Sequence, residues 1–165
     1  ASEKLRLAKV LRVAPSLDVR ANVKLPDTET LKAVLAHRFH VMRDYFRGVT
    51  APMLRATLRA EKASADTATL ALPRKLRRAM ANGGRWLDEA SRAKLQRALR
   101  ERPQLAVVCD FRSRLAGLLE RNGRKPEALL ESLKQWCHEA EATGIQTLQD
   151  FAARLKGYQL AGERG

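Results

Sequence analysis

Apolar residues recur every three or four positions from Leu31 to Tyr158, the spacing that turns one side of an α-helix toward a core. Leu31, Val34, Leu35, Phe39, Met42, Phe46 and Val49 form the first series, and Asp27 stands before it as an N-cap. Gly48 and Pro52 interrupt the series. The pattern therefore predicts one kinked helix to about Lys62, or two helices with a break near Thr50. Residues 63–72, rich in Ala, Ser and Thr, read as a loop. Pro73 can open the next helix at its first turn, Leu76 and Met80 face inward, and Asn82-Gly83-Gly84 supplies a glycine stop.

Further along, Trp86 and Leu87 precede Asp88, a good N-cap for a helix to about Arg102 with Leu95 and Leu99 on its apolar face. Pro103 breaks that helix. Leu105, Val108, Phe111, Leu115, Leu118 and Leu119 carry the next, up to Asn122-Gly123. Pro126 starts another, with Leu129, Leu130, Leu133, Trp136 and Cys137 inward and a stop at Gly144. Ile145, Leu148, Phe151, Leu155 and Tyr158 mark the last. No alternating strand pattern of useful length interrupts this succession. The expected fold is all-α: an antiparallel bundle of about five to seven helices over 27–160. An extended N-terminal arm over 1–26 and a frayed tail over 161–165 complete it. Trp86 and Trp136 are expected in the core, Trp86 also as a staple at its helix start.

Charge changes the picture. Thirty-two Lys and Arg oppose 18 Asp and Glu, for a net +14. Residues 1–62 hold 13 basic and 6 acidic side chains, 63–102 hold 10 and 4, and 103–165 hold 9 and 8. The positive field thus lies before Pro103 and favours phosphate, on nucleic acid or on anionic headgroups. Its densest part is Arg74, Lys75, Arg77 and Arg78, followed by Arg85, the candidate anion contacts. The competing reading is a solvated helix face paired with acidic residues; the nearest are Asp66, Asp88 and Glu89. Aromatic interleaving of the kind single-strand binders use is absent from this run. The two helices flanking Gly83 resemble a helix-turn-helix, but their connection is longer than the usual turn.

Other chemistry is thin. His37 and His40 can share a helix face as metal ligands, with Asp44 one turn on as a third, yet the set is incomplete. A half-buried and a solvated histidine explain the pair as well. Cys137 and His138 are adjacent on a helix and point about 100° apart, so they do not face each other as thiol and base. Glu139 and Glu141 read as a solvated face. Cys109 and Cys137 read as reduced core thiols of a cytosolic protein. No apolar run reaches membrane-spanning length, and no signal peptide, phosphate-binding glycine loop or zinc spacing is present. The start at Ala1 reads as a cut-out piece of a longer chain.

The stretch Gln135-Trp136-Cys137-His138-Glu139-Ala140-Glu141-Ala142-Thr143-Gly144-Ile145-Gln146, with Leu148-Gln149-Asp150-Phe151 and Arg154-Leu155-Lys156-Gly157-Tyr158, resembles the C-terminal helical tail of bacterial membrane-bound delta-nine fatty acid desaturases. A related tail ends a family of DDE-type insertion-sequence transposases. Arg102-Pro103-Gln104-Leu105 and Phe111-Arg112-Ser113-Arg114-Leu115 are similar to that shared tail, and Arg38-Phe39-His40-Val41-Met42 fits both families loosely. Glu3 to Val10 and Arg12-Val13-Ala14-Pro15 are similar to the segment leaving the desaturase membrane region, which tips the resemblance toward the desaturase.

The resemblance implies a non-catalytic cytoplasmic tail at the inner face of the membrane, acting in docking or regulation. Its partners would be the membrane-embedded desaturase domain of the same parent chain and an anionic membrane surface or an acidic protein. The alternative is a nucleic-acid-binding or structural tail of a transposase, with DNA as partner. Neither the desaturase histidine boxes nor the DDE carboxylates map onto this chain, so no catalytic residue, metal ligand or cofactor is carried over.

Overall fold

A computed structural model describes residues 25–64, 72–120 and 123–158. Helices α1 (Thr28–Ala36) and α2 (Arg38–Tyr45) lead into a π-helical turn (Phe46–Thr50) and α3 (Ala51–Ala63). Next come α4 (Arg74–Asn82), α5 (Glu89–Arg100), α6 (Pro103–Leu119), α7 (Pro126–Ala142) and α8 (Gln146–Lys156). The described residues are all-helical, as the three-to-four spacing requires. Residues 1–24 of the arm, most of the 63–72 loop and the tail lie outside them.

Local chemistry places most helix ends. The Asp27 carboxylate accepts from the Thr30 amide at 2.8 Å, and Asp88 accepts from the Ser91 amide at the same distance. Each satisfies an orphan donor of a first turn and is drawn to the positive end of the helix dipole. Hydrogen bonds from Thr30 and Ser91 hold both carboxyl groups below the usual range. Gly83 ends α4 at φ 95°, a left-handed conformation glycine adopts without strain. Pro73 sits one residue ahead of α4 in extended backbone rather than inside its first turn.

The first series breaks elsewhere than expected. His37 leaves helical geometry at φ −119°, ψ 36°, separating α1 from α2. Helical hydrogen bonds run up to it and on from it, from the His37 N–H to the Ala33 carbonyl and from the Val41 N–H to the His37 carbonyl, so the helical phase is kept. Val34, Val41 and Tyr45 share the buried side, while Phe39 is 78% exposed and Phe46 39% exposed off that side. At Gly48 and Pro52 the chain stays helical. Pro52 has no N–H to donate, and the backbone widens into a π-turn in which the Ala51 amide reaches back to the Phe46 carbonyl.

Two hydrophobic clusters share α6. The larger gathers α1, α2, the π-turn, α6, α7 and α8 around Tyr45, Phe111, Trp136 and Phe151. Trp136 meets Tyr45, Phe111 and Phe151 edge-on, at centroid distances of 6.3, 5.6 and 5.8 Å. The polar ends of the two amphipathic rings are satisfied. Tyr45 Oη donates to the Val108 carbonyl at 2.5 Å, and Trp136 Nε1 donates to the Phe111 carbonyl at 3.0 Å. The smaller cluster joins Leu54 of α3, Leu72, Leu76 and Met80 of α4, Ala98 of α5 and Leu105 of α6. It fixes the basic helix α4 against α3.

Candidate functional site

Helix α4 turns Leu76 and Met80 into the smaller cluster and buries Ala79, which forces its cations outward. A groove of about 670 Å³ opens between α4 on one side and α2, the π-turn and α3 on the other. Its floor is apolar, from Met42, Phe46, Leu54 and Leu58. Around it stand Arg43, Arg55, Arg74, Arg77, Arg78 and, from α6, Arg112. Among the described residues no Asp or Glu lines it.

These six guanidinium groups make no ion pair among the described residues. Arg43 Nη2 instead donates to His40 Nδ1 at 2.5 Å, and Arg78 lies over the Trp86 ring at 5.8 Å. Arg77 Nε is buried without a hydrogen-bond partner, a donor whose satisfaction would stabilise the site. Burial lowers the pKa of Arg112, yet an arginine so far from neutrality stays charged at any physiological pH. The result is a concentrated positive recess over a greasy floor, suited to an anion that also carries an apolar face.

Of the five candidate anion contacts, the groove brings together Arg74, Arg77 and Arg78. It does not include Lys75 or Arg85. Lys75 lies near enough to Asp88 to help lower its pKa, after the larger effect of the Ser91 hydrogen bonds. Arg85 pairs with Glu120 at 3.0 Å, both exposed. Arg43, Arg55 and Arg112 are the members sequence spacing missed. They come singly from three separate helical stretches, and no local charge density marks them. Trp86, expected in the core, is 50% exposed; Leu87, 5% exposed, fills the apolar position before the Asp88 cap instead.

The remaining candidates resolve plainly. The His37 and His40 rings lie 5.6 Å apart, but the cationic Arg43 occupies His40 Nδ1. Among the described residues no three His, Cys, Asp or Glu side chains converge where a metal ion could sit, so this donor set does not fit a resident metal. Glu139 pairs with Arg114 and Glu141 with Lys156, tying the solvated side of α7 to α6 and α8.

Cys137 is buried, and burial pushes its thiol up to about 12; Cys109 is pushed up to about 12 for the same reason. Neither supplies a thiolate near neutral pH. Both should resist alkylation by iodoacetamide at pH 8 in native protein and react on unfolding. A thiol whose folded pKa is raised binds more protons folded than unfolded above about pH 9, so stability falls as pH rises through that range. The urea midpoint should therefore decline between about pH 9 and 11. A midpoint rising across that window would contradict it.

No described helix is long and apolar enough to cross a membrane. No curated protein and no solved structure matches the chain. Comparison with protein families does match: residues 23–161 align with the ISL3-type DDE family, described as a transposase. That match takes the transposase side of the shared-tail resemblance, and nothing joins the chain to a desaturase. It runs from just before α1 to just past α8, across both hydrophobic clusters and the groove. This helical chain belongs to the ISL3-type DDE transposase family.

Proposed function

We propose that the chain is a nucleic-acid-binding part of a transposase that grips the sugar–phosphate backbone of DNA with its arginine groove. One observation carries the reading: six guanidinium groups from α2, α3, α4 and α6 surround a recess that no carboxylate among the described residues lines. Guanidinium forks match phosphate oxygens in charge and in geometry, and they release condensed counterions on binding. The family membership makes DNA the natural polyanion. Arg77 and Arg78 are the central contacts, with Arg74 and Arg55 at the margins. No catalytic step is assigned to this chain, and its role is to hold DNA for chemistry performed by acidic residues outside the set described above.

Fluorescence anisotropy with a labelled duplex, across a salt series, tests this. Binding should weaken steeply as salt rises. The triple change Arg74→Gln, Arg77→Gln and Arg78→Gln should reduce the salt slope by roughly one per lost phosphate contact and weaken binding uniformly across sequences. Lys75→Gln with Arg85→Gln, outside the groove, should change the slope less. No binding at low salt, or equal effects of the two variants, defeats the proposal.

A further inference from the structure

A duplex backbone needs only a positive surface, yet this recess has an apolar floor. Phe46 lines it and is 39% exposed, because Tyr45 and Val49 take the core side of this stretch. Outside the lining, on the turn after α4, Trp86 is half exposed, with the Arg78 guanidinium over its ring at 5.8 Å. Arg78 also lines the groove, so it bridges the two aromatic positions. Two exposed rings beside six guanidinium groups that make no ion pair among the described residues form a surface with a π-face for a base and donors for its flanking phosphates. The volume accommodates a nucleotide without displacing the helices that frame it. An acidic peptide would use the cations but leave both rings without a stacking partner.

We infer that the groove takes unpaired nucleotides: a base stacks on Phe46 over the apolar floor, a neighbouring base stacks on Trp86, and the intervening phosphates lie on Arg74, Arg77 and Arg78. This rests on the phosphate-gripping reading above and adds a preference for strands whose bases are free of pairing.

The two tryptophans make the test direct. Trp136 is 1% exposed and out of reach of a ligand, whereas Trp86 is 50% exposed. Short oligothymidylate added to the chain should quench the Trp86 share of the emission, and Trp86→Phe should abolish that quenching. Phe46→Ala and Trp86→Ala should each weaken oligothymidylate binding about tenfold while changing blunt-duplex binding less than about twofold. Phe46→Tyr, which keeps the ring, should retain single-strand affinity, and circular dichroism checks that each variant is folded.

Equal losses for single strand and duplex, or no loss for either, overturn the stacking site while leaving the duplex grip standing. Single-strand binding with the expected aromatic losses but no duplex binding sinks the duplex reading and keeps this one. Polyglutamate that competes as well as oligothymidylate, charge for charge, would identify a general polyanion or acidic-protein site and overturn the inference. Absence of binding to any of these probes overturns both.

Discussion

Trp136→Ala lowers the stability of this protein by about 3–5 kcal/mol, the range for truncating a large buried aromatic. Trp136 is 1% exposed and meets three other rings edge-on, so its removal opens a cavity where α2, α6, α7 and α8 converge. It also leaves the Phe111 carbonyl without the indole donor now 3.0 Å away. The three surrounding rings are carried by three different helices and cannot all collapse into the space together. Urea unfolding followed by circular dichroism should show the midpoint fall without a large change in slope. Trp136→Phe keeps most of the packing and loses the hydrogen bond, so its cost should be clearly smaller. Comparable losses for the two substitutions would mean that the hydrogen bond, and not the packing, holds this centre together.

Glu61→Ala is expected to cost about 2–4 kcal/mol, and more than Arg102→Met. The Arg102 side chain is 5% exposed at the junction of α5 and α6, where its Nε donates to Glu61 Oε1 at 2.5 Å and its Nη1 to the Ala98 carbonyl at 3.0 Å. Removing Glu61 from α3 takes away the closest carboxylate of a buried cation and leaves Glu101, at 3.8 Å, beside it. Removing Arg102 leaves Glu61 and Glu101, which are 31% and 29% exposed and can turn to water. Methionine also refills the aliphatic volume. The asymmetry is the signature of a buried charge, and chemical denaturation of the two single variants and the double variant measures it. An Arg102→Met variant less stable than Glu61→Ala would show that packing of the arginine stem outweighs the stranded charge.

Much of the architecture was legible along the chain because helices are local. Asp27 and Asp88 act as caps through bonds to residues three positions away, and Gly83 stops α4 through its own backbone freedom. The series in α6, α7 and α8 bury the residues their spacing selects: Leu115, Leu133 and Leu148 are each fully buried. Phe39 and Phe46 escaped that logic. They continue a three-and-four series with Leu35, but a competing series through Val34, Val41 and Tyr45 takes the core side, and spacing alone does not choose between the two. Trp86 escaped it too, since Leu87 competes for the same apolar position and wins it.

The candidate site divides in the same way. Residue order alone determined that the chain is helical, that its positive charge lies before Pro103, and that Arg74, Arg77 and Arg78 sit on the outward side of one short helix. Only the tertiary structure decided which cations act together. The smaller cluster pins α4 against α3, which draws Arg43, Arg55 and Arg112 to the same recess and leaves Lys75 and Arg85 outside it. The reason is range. Caps and periodicity act over a few residues, whereas an arginine from α6 reaches one from α4 only when packing has set the distance between their helices.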